Sequence, residues 1–127
     1  MKVKDIYKAS VMLVTAAADM EEYQEIALDM FNICLGRCFQ ENNHLREYKG
    51  KSKLENIPQV SSLDEDMPYE DEFATGLKYG LAAEIMIADA DMDEGKHSAY
   101  MQLFTTEVNK WASKGIEESV EDVYATD

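Results

Sequence analysis

Residues that interrupt helices are scarce in this chain. Two prolines and six glycines occur among 127 residues, and both prolines, Pro58 and Pro68, fall within residues 50–68. Such a composition suits long helices, because proline and glycine are the residues least compatible with a helix interior. Cysteine is limited to Cys34 and Cys38. Four apart in a helical pattern, they share a face but lack the side-chain geometry of a disulfide. With His44 they also fall short of a zinc set, which needs a fourth ligand, so buried free thiols are expected. No run approaches the roughly 18 apolar residues of a membrane span. The start, MKVKDIYKAS, has no apolar core of a signal peptide, which points to a chain that stays in the cytoplasm.

Positive charge is also in short supply, with 12 Lys and Arg against 26 Asp and Glu and a formal net charge of −14. Residues 1–54 carry eight acids and eight bases; residues 55–127 carry eighteen acids and four bases. The whole excess therefore lies in the second half, whose surface should repel nucleic acid and anionic membranes. With 46% apolar residues, the chain has enough to bury a core and reads as one folded domain.

Residues 3–16 place Val3, Ile6, Tyr7, Ser10 and Leu13 or Val14 along one side of a first helix. Asp19, with Glu22 three residues on, forms an Asp-type capping box for a second. From Met20, the residues Tyr23, Ile26, Ala27, Met30, Phe31, Cys34, Leu35 and Cys38 recur at i, i+3, i+4. Leu45 and Tyr48 extend the pattern, and Gly50 is the expected C-cap. Unbroken, this helix would be about 45 Å long, and Glu41-Asn42-Asn43 is where a bend or break is expected. Residues 50–68 form a long loop, with Ile57, Val60 and Leu63 as its anchors and bases at its start (Arg46, Lys49, Lys51, Lys53) facing acids at its end (Asp64, Glu65, Asp66). A third helix is expected to begin at Pro68 or Tyr69, with Glu70, Asp71 and Glu72 in its first turn. Phe73, Leu77, Leu81 and Ile85 make its apolar face, while Gly76 and Gly80 stack at i, i+4. Glycine in a helix interior costs about 1 kcal/mol relative to alanine, so close approach of another backbone is the expected reason. A fourth helix carries His97, Tyr100, Met101, Phe104, Val108 and Trp111 on one face, with Gly115 as its stop. The expected architecture is all-α: a bundle of four main helices over residues 1–115, followed by an extended C-terminal arm over 116–127.

Asp89, Asp91 and Asp93 alternate before Gly95 as in a calcium loop. Counted from Asp89, position 6 is Glu94 instead of glycine, and position 12 is Tyr100 instead of a bidentate glutamate. A polar turn with Asp93 as helix N-cap accounts for the same residues. There is no phosphate loop, GxSxG elbow or HExxH. Glu41 and His44, and Glu94 and His97, have the Glu-x-x-His spacing of carboxylate-bridged metal sites, with Glu84 the one serious candidate for a bridging carboxylate. His97 on an apolar face reads more simply as a core histidine with its hydrogen bonds satisfied. No catalytic residue, cofactor or metal is expected.

Met67-Pro68-Tyr69 followed by acids, Tyr79-Gly80-Leu81-Ala82-Ala83 in mid-helix, the acidic turn after that helix and Asp122-Val123-Tyr124 together resemble the head–tail connector, or adaptor, family of tailed phages and prophages. The resemblance implies a non-enzymatic virion protein made in the host cytoplasm. It implies a ring of about twelve copies, closed by a repeated heterologous contact, between the portal and the next neck or tail-completion protein. DNA would slide through an acidic duct. Phe73, Gly76, Tyr79, Gly80 and Ala83 would serve helix packing within or between subunits, and Ile116, Val120, Val123 and Tyr124 would form the arm that reaches the portal. The competing reading of the same composition is a small acidic helical regulator or DNA mimic. Its weakness is that the acids cluster at helix starts and turns instead of spreading over one face.

Overall fold

A helix that is apolar over most of its surface needs neighbours on most sides, and residues 74–87 are such a helix. In the structure, a computed structural model that describes residues 1–14, 23–88 and 93–125 with side chains through Ala112, the elements are α1 (Val3–Val14), α2 (Gln24–Arg37), α3 (Phe39–Tyr48), a 3₁₀ turn (Asp71–Phe73), α4 (Ala74–Ile87) and α5 (Glu94–Ala125). The fold is an all-α bundle. α1, α2 and α5 all pack on α4, and α3 packs on α5. Leu77, Leu81, Ala82, Ala83 and Ile85 are fully enclosed, and Gly76, Gly80, Glu84 and Met86 are buried with them.

The two glycines sit where α5 crosses. A Cβ on Gly80 would lie 2.8 Å from the Phe104 ring, and one on Gly76 would lie 3.2 Å from Val108 Cγ2. Close helix packing inside the chain therefore requires glycine at position 80 and leaves a tight fit at position 76, with side chains of α5, not its backbone, as the nearest atoms. α1 is tied to α4 by Ser10, whose buried hydroxyl lies 2.9 Å from the carbonyl oxygens of both Ile6 and Lys78.

Several expected boundaries move. The single long second helix is two helices, broken at Cys38 (φ −118°, ψ 21°) and not at Glu41-Asn42-Asn43. The asparagines stay helical because the Asn43 amide and the Asn42 Oδ1 find partners outside the helix, while the break lets the chain pass from α4, where α2 packs, to α5, where α3 packs. The Asp19–Glu22 capping box lies outside the described residues. Gly50 ends α3 as expected, at φ 78°. Lys51 N–H donates to the Arg46 carbonyl at 2.8 Å and Gly50 N–H to the Glu47 carbonyl at 3.0 Å, the paired bonds of a Schellman motif.

α4 does not begin at Pro68 or Tyr69. Glu70 is extended (φ −61°, ψ 142°), because its N–H donates to Asn42 Oδ1 at 2.9 Å, and the helix starts only after the 3₁₀ turn. Asp89 and Asp91 of the acidic turn lie outside the described residues. Asp93 caps α5: its Oδ1 accepts from the Lys96 N–H at 3.1 Å and its carbonyl from the His97 N–H at 2.9 Å. Gly115 is no stop, since α5 continues to Ala125. The arm expected to be extended at 116–127 is thus helical over 116–125, and no break in the helix marks the boundary drawn at residue 115. One interior glycine costs about 1 kcal/mol, too little to end a helix that meets no proline and continues into glutamates.

The glycine contacts predict opposite outcomes for one substitution. Gly80→Ala should destabilise by about 1–3 kcal/mol through overpacking against Phe104, less the helix-propensity gain. Gly36→Ala, on an exposed part of α2 with nothing within 4 Å, should stabilise by about 0.5–1 kcal/mol. Urea unfolding of both variants checks this pair.

Candidate functional site

The long loop at 50–68 is a fastened strap. Three asparagines on α2 and α3 take the place of a neighbouring strand. Asn32 Nδ2 donates to the Val60 carbonyl at 3.1 Å, and its Oδ1 accepts from the Val60 N–H at 2.9 Å. Asn43 holds Leu54 in the same two-bond manner, at 3.2 and 2.9 Å, and Asn42 holds Glu70. The far end of the strap pairs with the start of the chain. Val3 and Lys4 N–H groups donate to the Glu65 and Leu63 carbonyls at 2.9 Å each, and Met67 N–H donates to the Met1 carbonyl at 2.8 Å. Free N–H groups in the first turn of α1 are thereby satisfied. Val60 is buried and Leu63 packs against the core, as the sequence predicts; Ile57 is 44% exposed, and Leu54 takes the anchoring place assigned to it.

Glu70 locks the start of the strap. Its side chain, 8% exposed, accepts from Lys51 Nζ at 2.7 Å, Arg46 Nη1 at 3.3 Å and Lys49 Nζ at 3.4 Å. Lys49 also reaches Glu72 at 2.7 Å. Burial alone would raise the Glu70 pKa. The hydrogen bonds from Lys51 and Lys49 outweigh it and hold the carboxyl below the usual range. Arg46, Lys49 and Lys51 at the start of the loop are thus used internally and do not meet the acids at its end, while Lys53 pairs with exposed Glu47.

A second polar seam runs along α2 and α3 beneath the strap. Glu84, almost fully enclosed on α4, pairs with Arg37. Burial first and nearby Glu84 second push the Cys34 thiol up to about 12, and burial followed by Cys34 and Glu41 raises Cys38 as well. Burial therefore keeps both thiols protonated near neutral pH. The Cys38 thiol donates to the Cys34 carbonyl at 3.3 Å. Tyr69 donates its hydroxyl to the Leu35 carbonyl, and burial raises its pKa.

The two Glu-x-x-His pairs are not gathered around Glu84. His44 and Glu94 are exposed, Glu84 is taken by Arg37, and among the described residues no three His, Cys, Asp or Glu are grouped to hold a metal ion. His97 is half-buried, and among the described residues its enclosed Nε2 has no partner, against the expectation of a satisfied core histidine.

Phe73, Gly76, Gly80 and Ala83 are all buried within the chain, with Tyr79 half-exposed and stacked on Tyr100 at 6.1 Å between ring centroids. Residues 116, 120, 123 and 124 fall on the terminal turns of α5, where helical spacing aligns these positions along one side. With Gly80 opposite Phe104 and Gly76 opposite Val108, those turns run past Ala74, the first residue of α4. An open cleft of about 200 Å³ between α1 and the start of α4, lined by Met1, Ile6, Ala9, Ala74, Asp5 and Lys78, brings together no catalytic constellation. No protein-family model, curated protein or solved structure matches this chain.

The site that sequence reasoning missed is the strap clamp. Its signal was present in Asn42-Asn43, two poor helix formers in an otherwise helical pattern, whose amides were free to bind a distant backbone.

Asn43→Ala and Asn32→Ala should each destabilise by about 1–3 kcal/mol, because each strands a donor and an acceptor of the strap. Hydrogen exchange should quicken at Leu54 in the first variant and at Val60 in the second. For Glu70, a folded pKa below the ordinary value means that its stabilisation is complete above the unfolded pKa and is lost as pH falls through the folded one. The wild-type chain should therefore lose stability below about pH 4.5 more steeply than Glu70→Gln, as measured by thermal unfolding from pH 7 to pH 3.

Proposed function

We propose that this chain is a head–tail connector of a tailed phage or prophage, a structural subunit of a ring seated on the portal. The observation that supports this reading best is the length of α5. Its 32 residues extend about 48 Å, against about 21 Å for the 14 residues of α4, so its last turns reach beyond the helix on which it packs. A body with a projecting helical end is suited to docking on a larger assembly. The apolar positions Ile116, Val120, Val123 and Tyr124 then act as one stripe of a helix laid into a groove of the portal, a different mode from strand addition. The resemblance at residues 67–92 and 122–124 agrees with this use.

The acid excess of residues 55–127 suits the same role, since DNA in transit must pass the ring without adhering. The next neck or tail-completion protein binds the opposite side of the ring. The reading assigns no cofactor and no membrane contact, and its place is the head–tail interface of the virion after assembly in the host cytoplasm.

Co-expression with the portal protein encoded in the same genome, followed by native mass measurement, tests the reading. The full chain is expected to co-purify with the portal as a ring. Ile116→Glu with Val120→Glu should abolish that complex while leaving the helical circular dichroism and the unfolding midpoint of the body unchanged. Failure of the full chain to bind the portal would overturn the connector reading in favour of a small acidic regulator.

A further inference from the structure

Two exposed helix stripes, one on α1 and one on α2, carry matching patterns. On α1, Lys4, Lys8 and Met12 follow one another at i, i+4, i+8, all three exposed, with Met12 60% accessible. On α2, Glu25, Asp29 and Ile33 have the same spacing, all three exposed, with Ile33 47% accessible. Read from N- to C-terminus, one stripe is base, base, apolar and the other is acid, acid, apolar. Residues four apart on a helix rise about 6 Å, so the two stripes are in register when laid side by side in parallel. In the antiparallel sense each apolar residue meets a charge.

We infer that these stripes are the two halves of a contact between copies of this chain: Lys4, Lys8 and Met12 of one copy against Glu25, Asp29 and Ile33 of the next. The occupant of each stripe is a second copy because the complementary sequence is present on the same chain. Among the described residues Lys8, Glu25 and Asp29 have no ion-pair partner within the chain, and Lys4 makes only an exposed contact of 3.7 Å with Asp64. α1 and α2 both pack on α4, the stripe residues are all exposed, and neither lysine of the first stripe is paired with an acid of the second within one copy, Lys4 reaching only Asp64. A contact between two different surfaces is heterologous, and it propagates from copy to copy until it closes a ring or forms a filament. The inference rests on the connector reading for its biological use and supplies the subunit contact which that reading requires. Met12 and Ile33 would be the apolar centre, and the four charges would fix register and direction.

Native mass over a concentration series in low salt, on the purified full-length chain, tests the contact. The wild type is expected to assemble beyond a dimer and to dissociate as salt is raised. Lys4→Glu with Lys8→Glu makes both stripes acidic, and Glu25→Lys with Asp29→Lys makes both basic. Each variant alone should weaken assembly at least tenfold, and an equimolar mixture of the two should restore it. Lys8→Glu alone leaves the Lys4–Asp64 pair intact and should give a smaller loss in the same direction. Circular dichroism checks that the variants keep the fold. A wild type that stays monomeric at every concentration, variants that assemble like the wild type, or a mixture that fails to recover would each overturn the contact. Portal binding by the same variants separates the two ideas: variants that assemble unchanged and still bind the portal would sink this contact and leave the connector reading standing.

Discussion

The bundle depends on the close approach of α4 and α5 at Gly76 and Gly80. With the Phe104 ring and the Val108 side chain crowding the places where Cβ atoms would stand, the two helices pack closely enough for most of α4 to be buried. Each glycine gives up about 1 kcal/mol of helix propensity. The enclosed apolar surface offsets this, since a fully buried leucine or isoleucine contributes about 1.5–3 kcal/mol and α4 buries Leu77, Leu81 and Ile85 together. A residue with a side chain at position 80 would push α5 outward and open the centre of the molecule.

Enclosing a helix so completely leaves its single carboxylate, Glu84, in need of a partner. Arg37 supplies it from α2, and the pair fixes how α2 lies across α4, because removing one member strands a buried charge. The same logic applies at Glu70, where three bases converge on one carboxylate as the chain leaves the strap. In both places the ionic contacts secure the joints of the bundle, and they remove charges that would otherwise seem available for binding. Among the described residues, Lys8 on α1 and Glu25 and Asp29 on α2 stay exposed and outside any ion pair. Burial keeps the Cys34 and Cys38 thiols and the Tyr69 phenol protonated inside.

The strap shows how a long irregular segment can be held without a sheet. Its Leu54 and Val60 backbone groups need partners wherever they are shielded from water, and no strand lies beside them. Asn43 and Asn32 each offer a donor and an acceptor in the arrangement of a peptide group, so each satisfies one residue of the strap in full. Mid-helix asparagine is a poor helix former in isolation. At positions 42 and 43 that weakness is tolerated because the amides are engaged with Glu70 and Leu54 instead of competing for the helix's own backbone.

By itself the sequence determined the helical class, the apolar stripes of α1, α4 and α5, the Gly50 cap, the Asp93 cap and the requirement for close packing at Gly76 and Gly80. Each of these follows from spacing or from local chemistry within a few residues. Only the tertiary structure decided that the second helix breaks at Cys38, that Glu70 is extended and ringed by bases, that Asn32 and Asn43 clamp the strap, and that α5 runs through Gly115 to Ala125. The reason is physical. The clamp and the Glu70 cluster depend on partners 11 to 28 residues away in sequence, the break at Cys38 on helices farther still, and a local pattern carries no record of which distant group will arrive. A glycine such as Gly115 weakens a helix without saying whether the next turn will be kept, so the continuation of α5 is a property of the folded chain.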